Sequence, residues 1–392
     1  MIFLSDADVA LPDRLLSRAT VVVDGDRVID VLQDAPARSP GDLRIDLRNH
    51  TIVPGFIDVH VHGVEGTDTL DGEGALLRIA ARLPRYGVTA FCPTSVACSP
   101  EDLRTMLAAV RAARFARQPG SSRVLPAHLE SNFINPDYRG AQPLDCLRLP
   151  GGHSQEGEFT GQEILAEIAA ARPDVGIVTI APEIDGALAL IRSLVAHGHH
   201  VSLGHSGATY EQALEGISAG ARHATHLFNR MTPIGHRAPG LAAAVLEHDD
   251  VAAEIICDGV HVHPSMVRVA LAAKSPSRIM AITDATAGAG LPPGSRAALG
   301  GRTITVREAA YLDDGTLAGS VLTMDRAFAL LVSVMGQSLV VAATICSTTP
   351  ARAMGLQGFG VIVPGAIADL AVLGADMTVT QTWIAGELAY SR

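Results

Sequence analysis

Between Ile52 and Thr286 short apolar segments alternate with loops and amphipathic stretches, and eight of these segments read as strands: IVPGFIDVHVH, VTAFCPTS, VLPAHLE, VGIVTIAPE, HVSLGHS, HATHLF, AEIICDGVHV and RIMAITDAT. Stretches such as EDLRTMLAAVRAARFAR and EQALEGISAG between them carry helical spacing. This alternation predicts a parallel sheet with helices outside, and eight parallel strands close into a barrel. At 392 residues the chain has room for one such α/β barrel and a smaller unit. Residues 20–32, TVVVDGDRVIDVL, read as a hairpin around Asp24-Gly25-Asp26. The far end offers matching strands in DLAVLGADM from Asp369 and VTQTWIAGELAY from Val379. Residues 1–52 and 356–392 are therefore expected to pair in one small β domain, with 53–355 forming a TIM-type (β/α)₈ barrel. Residues 288–322 read as a Gly-rich β insert able to cover the barrel mouth, before the helix DRAFALLVSVMG.

A barrel of this kind gathers its chemistry at the C-terminal ends of its strands. Alternate side chains of a strand share a face, so His60 and His62 in VPGFIDVHVHG point one way and Val59 and Val61 the other, with Gly63 letting the backbone turn. Glu130, Glu183, His205, His226 and Asp284 fall at the ends of later strands, and His261 and His263 follow the seventh. Imidazoles with a carboxylate suit a divalent metal, zinc foremost, as one ion or two. Such an ion acidifies bound water, and a nearby carboxylate can take the remaining proton; Asp284 is the candidate for that role. The sole lysine, Lys274, lies in the helical stretch PSMVRVALAAK on the outer layer, so it cannot be a carbamylated bridge between two ions. Any bridging oxygen falls to Glu130.

Composition narrows the partners. A net charge of -11 argues against nonspecific nucleic-acid binding. Cys92, Cys98, Cys146, Cys257 and Cys346 are scattered, without CxxC spacing, which fits a reducing cytoplasm. The start MIFLSDADVALPDR lacks a basic region followed by a long apolar run, and no later stretch reads as a membrane span. A cytoplasmic enzyme is the expectation.

Seven blocks in order then carry a family resemblance: PGFIDVHVHG, HLES-NF with NPDYRGAQP, LGHSGATY, ATHLFNRMTP with HRAPG, CDGVHVHP, ITDATAGAG and LAGSVLTMDRA. The chain resembles the N-acetylglucosamine-6-phosphate deacetylases of the amidohydrolase superfamily, nearly end to end. The resemblance implies metal ligation by Glu130, His205 and His226, a second ion at His60 and His62, and Asp284 as acid/base. It implies substrate contacts from Gln142, Asn229, Arg230, His261 and Leu317, with Arg237 reaching across the interface of a homodimer. Ser131-Asn132, Gln142 and Arg230 stand where the family has Gly-Pro, His and a small residue, and all are expected at the substrate pocket.

The reaction implied is hydrolysis of the carbon–nitrogen amide bond of an N-acetylated amino sugar phosphate, giving acetate and the amine. Two other readings are an amidohydrolase for an N-acyl amino acid or isopeptide, and a non-catalytic metal- or sugar-binding barrel. Remaining groups take plainer roles. His128 reads as a partner of the metal ligands or a structural histidine, Glu183 as ordering loops, and His263 as packing under its loop. His197, His199, His200, His223 and His248 read as solvated or packing residues, and His236 as a loop residue. Arg104, Arg111, Arg114 and Arg117 read as one solvated helical face.

Overall fold

A computed structural model describes residues 1–33, 39–116, 118–151 and 158–392. Its centre is a parallel barrel of Phe56–Val61, Val88–Ser95, Ala127–Leu129, Val175–Ile180, His200–Leu203, His223–Ala224, Ala252–Ile256 and Ile279–Ile282, paired in that order. The last strand returns to the first through a bridge between Val61 and Ala285, with Asp284 N–H donating to His60 O at 3.0 Å. Asp58 reinforces this seam, accepting from Thr283 Oγ1 at 2.5 Å. Every strand is followed by an outer helix. In Pro100–Phe115, Leu103, Met106, Leu107, Val110 and Ala113 are buried, a three-and-four spacing that lays one stripe on the barrel. Each aliphatic side chain buried this way contributes about 1.5–3 kcal/mol.

The opposite face of that helix is more than a solvated surface. Arg111 Nε reaches the buried Asp174 carboxylate at 2.7 Å, Arg114 pairs with the same carboxylate, and Arg104 meets Glu167 at 3.1 Å. These arginines tie the helix to the segment leading into the fourth strand; Arg117 lies outside the described residues.

Both ends of the chain build one sheet, in the order Glu387–Ser391, Val379–Ile384, Leu370–Leu373, Thr51–Pro54, Ile2–Ala10, Leu15–Asp24, Arg27–Leu32, with Leu43–Asp46 also on Ile2–Ala10. The stretch that reads as one first strand is two. Thr51–Pro54 pairs with Leu370–Leu373, and beyond Gly55 the segment Phe56–Val61 enters the barrel. A Cβ at Gly55 would lie 2.3 Å from Thr89 Cγ2, so only glycine passes there. The third strand is also broken, because Pro126 has no N–H to donate between Arg123–Val124 and Ala127–Leu129.

The Gly-rich insert forms an antiparallel sheet of Arg296–Leu299, Arg302–Val306 and Ala310–Leu312. It is stitched to the end of the eighth strand, with Ser320 N–H donating to Asp284 O at 2.9 Å and Ser320 Oγ to Thr283 O at 2.5 Å. The insert thus closes one side of the barrel mouth. Among the described residues, no helix is long and apolar enough to cross a membrane.

Candidate metal centre and its cavity

Three strand ends converge on one point. Glu130 Oε1 lies 2.8 Å from His205 Nε2 and 2.7 Å from His226 Nε2, and the two nitrogens are 3.1 Å apart. His205 Nδ1 donates to Tyr138 O at 2.8 Å, which turns Nε2 toward the carboxylate. Glu183 holds the loop that carries His205, accepting from Ser206 Oγ at 2.7 Å, Gly207 N at 2.6 Å and Asn135 Nδ2 at 2.8 Å. Thr209 and Gln212 then cap Tyr210–Ser218 reciprocally and set where the loop ends.

Beside this group stands a second. His60 Nε2 and His62 Nε2 are 3.2 Å apart, and Asp284 Oδ1 lies 3.4 and 3.3 Å from them. His62 Nε2 is also 3.4 Å from Glu130 Oε2, so Glu130 faces both groups. Gly63 lets this corner close: a Cβ there would lie 2.3 Å from Thr67 O, so close approach demands the glycine.

The backbone is strained at the same places. His205, His226, Phe228, Arg230 and Asp284 have φ of 46°, 31°, 77°, 49° and 49°. Each non-glycine residue in the left-handed region costs about 1–2 kcal/mol. Strain of this kind collects where side chains are aimed for function.

Proton affinities follow from the geometry. Burial works against a charged His62, yet hydrogen bonds to Asp284 and Glu130 outweigh it and push the imidazole up to about 10. His226 is likewise desolvated, and Glu130 raises it to about 9. Burial dominates at His60 and brings it down to about 4, so the touching pair carries its proton on His62. Burial would raise both carboxyls, but His205 and its neighbours hold Glu130 well below its usual range, and His60 and His62 hold Asp284 down.

Glu130 with His205 and His226, and Glu130 with His60 and His62, each lie close enough to share an ion. The donors fit one. Two imidazole nitrogens, Nε2 of His205 and of His226, converge on a single carboxylate oxygen. A nitrogen–oxygen set of this kind suits zinc or a similar divalent ion. His60, His128 and Glu254 also lie close together, but His128 is engaged at both nitrogens, by Val59 O at 3.0 Å and Thr179 Oγ1 at 2.9 Å. That group supports the site from behind. Lys274 is far from it, bonding Val245 O and His248 O at the end of an outer helix.

His62, Glu130, His205, His226 and Asp284 form the floor of a cavity of about 430 Å³, and His60 is buried beneath it. Gln142, Asn229, Arg230, His261 and Leu317 line its walls. His261 is braced by Asp258, whose Oδ2 is 2.6 Å from Nδ1, and its Nε2 is buried without a partner among the described residues. Asp258 was not among the sequence candidates, although an Asp three residues before a loop His is a readable signal.

Two placements correct the sequence reading, that of Ser131 with Asn132 and that of His263. Ser131 and Asn132 do not line the cavity: Ser131 Oγ donates to Thr179 O at 2.5 Å, and Asn132 Nδ2 to Cys98 O and Cys146 O at 2.8 and 2.7 Å. Both are spent on holding backbone. Arg237 is exposed on the loop beyond Met231 and does not line the cavity of its own chain. His263 packs under nothing; it is exposed and caps Pro264–Ala273, accepting from Ser265 N at 3.2 Å.

The amidohydrolase family model matches residues 51–389. The chain is 31% identical to the N-acetylglucosamine-6-phosphate deacetylase of Bacillus subtilis, over 99% of this chain and 97% of that one. It is 34% identical to the N-acetylgalactosamine-6-phosphate deacetylase of Escherichia coli O157:H7, over 86% of this chain and 87% of that one. A Mycobacterium smegmatis N-acetyl-D-glucosamine-6-phosphate deacetylase variant, solved with N-acetyl-D-glucosamine-6-phosphate, superposes with a TM-score of 0.90 at 34% identity, covering 100% of this chain and 99% of that one. The chain belongs to the amidohydrolase family and, within it, to the N-acetylglucosamine-6-phosphate deacetylases.

Proposed function

We propose that the cavity hydrolyses the acetamide of an N-acetylated amino sugar phosphate, N-acetylglucosamine-6-phosphate or a close relative. The observation that carries this is Asp284 facing the histidine and glutamate cluster at the floor of a cavity whose wall holds Arg230 and His261. Glu130, His205 and His226 would hold the principal divalent ion, zinc foremost, and His60 and His62 a second. Such an ion supplies Lewis acidity toward the acyl carbonyl and water.

The protein's own groups do the rest. Asp284 takes a proton from the attacking water as the new carbon–oxygen bond forms. It returns that proton to the sugar nitrogen as the carbon–nitrogen bond breaks, so that acetate and the free amine leave. Arg230 offers a guanidinium to the phosphate, and His261 Nε2 offers a hydrogen bond to the sugar. Arg237 would complete the anion site from a second copy in a homodimer. The relatives' substrates favour this reading over an N-acyl amino acid or isopeptide. A cytoplasmic location accords with the five free cysteines.

The test is acetate release from N-acetylated hexosamine phosphates on protein of measured metal content. Release that chelation stops and zinc restores supports the reading.

A further inference from the structure

Beneath the cavity floor, on Ala252–Ile256, Glu254 is fully buried in the barrel interior. Its Oε2 lies 3.0 Å from His60 Nδ1 and accepts the backbone N–H of His226 at 3.3 Å. The backbone of Glu254 is tied to the same loop, accepting from Leu227 N at 2.7 Å. Among the described residues its Oε1 has no hydrogen-bond partner, and it sits 3.6 Å from His128 Nδ1.

A carboxylate taken this far from water costs several kcal/mol unless its partners compensate. A well-packed apolar residue would fill the space at lower cost, so the acid is retained for what it does to its neighbours. A neutral imidazole has one donor nitrogen and one acceptor, and an acceptor placed at Nδ1 selects the tautomer. With Glu254 at Nδ1, the lone pair of His60 is left on Nε2, which faces His62, Asp284 and Glu130. The four candidate histidine ligands differ here. His205 has the Tyr138 carbonyl at Nδ1, whereas among the described residues Nδ1 of His62 and of His226 has no partner. Among the described residues, His60 alone of the four is backed by a carboxylate.

We propose that Glu254 is a positioning residue that sets His60 as a metal ligand and, through the His226 N–H, locks the two ligand groups in one arrangement. The inference rests on the reading of His60 as a ligand. Outer carboxylates behind ligating histidines are worth about 10–100-fold in metal affinity. Replacing Glu254 should therefore act on the His60–His62 position far more than on the Glu130–His205–His226 position.

The experiment is zinc titration of the full chain against a competing chelator, for the native protein, His60→Asn and Glu254→Gln. Two binding phases are expected in the native protein, one of them lost in His60→Asn. Glu254→Gln should weaken that same phase by about 10–100-fold and leave the other within about threefold. If His60→Asn loses a phase but Glu254→Gln binds like the native protein, the positioning role is overturned and the ligand reading stands. Should His60→Asn and the native protein bind zinc identically, both fail together. A second measurement needs no Glu254 variant to fold. In ¹⁵N-histidine-labelled, metal-free native protein, with the His60 signals identified by their absence in His60→Asn, an Nδ1–H tautomer is expected. An Nε2–H tautomer would overturn the proposal.

Discussion

Gln142 donates its side-chain amide to Glu130 Oε2, while its own Oε1 accepts the backbone N–H of Ala97 at 2.7 Å. Both ends of the amide are engaged, so Gln142 steadies the carboxylate that faces both ligand groups before any substrate arrives. The family resemblance implies a substrate-facing group at this position; the geometry adds a hold on Glu130. Gln142→Ala should lower metal affinity by about tenfold, in line with the loss of an outer-shell hydrogen bond. It should also cost about 1–3 kcal/mol of stability, since Glu130 Oε2 and Ala97 N lose a buried partner. Metal content after dialysis against chelator, with thermal unfolding, reads both.

Asp284→Asn should keep its metal and fold while kcat falls by about 10²–10⁴, the usual worth of a positioned acid/base. An amide at this position cannot accept the water's proton. Glu130→Gln should behave oppositely and lose metal first, because a neutral oxygen holds a divalent cation poorly. Turnover near the native rate in Asp284→Asn would remove the assigned role.

Arg230 packs across Gly140, where a Cβ would lie 2.8 Å from its Nε, and lines the cavity with Gln142. A charge-assisted hydrogen bond is worth about 1.5–3 kcal/mol, so Arg230→Ala should raise KM for a phosphorylated sugar by about 10–100-fold and leave the unphosphorylated analogue nearly unchanged. Combined with Gln142→His, it should shift preference toward N-acetylglucosamine-6-phosphate, non-additively because both side chains border one cavity. Arg237→Ala should show the same phosphate-selective loss, carried between subunits. If the active species is monomeric in light scattering and Arg237→Ala still shows that loss, the route across a subunit interface is wrong.

Much of this site was legible because its residues fall where a repeating pattern ends. His60, His62, Glu130, His205, His226 and Asp284 each close a short apolar strand, and barrel geometry brings such ends together. The supporting groups gave less away. Glu254 sits inside the run AEIIC and finds its partner 194 residues away in His60, and Asp58 reaches Thr283 across 225 residues. Nothing in local periodicity marks such a pairing. Ser131 and Asn132 misled for the reverse reason. They adjoin Glu130 in sequence, but the chain turns after the strand and sends their side chains toward Thr179 and Cys98.

Metal affinity should rise with pH. Without an ion His62 stays protonated up to about 10 and His226 up to about 9, so binding must displace those protons throughout the neutral range. Below those values each displaced proton makes the apparent affinity about tenfold stronger per pH unit. Chelator competition between about pH 6 and 8, with calorimetry in buffers of different ionisation enthalpy, measures the slope and the proton release. In metal-free protein these raised values also add stability that is complete below the ordinary histidine range and lost as pH climbs through 9 to 10.

Hydrolysis in this cavity is measured by incubating zinc-loaded protein with N-acetylglucosamine-6-phosphate, N-acetylgalactosamine-6-phosphate and their unphosphorylated forms, and following acetate and free amine together. Equal amounts of the two products are expected, with kcat/KM for at least one phosphate ester about 100-fold above its unphosphorylated form, as loss of about 2.7 kcal/mol of anion binding requires. Chelation should abolish the release and added zinc restore it. No acetate from either phosphate with metal in place, or equal rates with and without the phosphate group, would rule out a phosphate-dependent deacetylase.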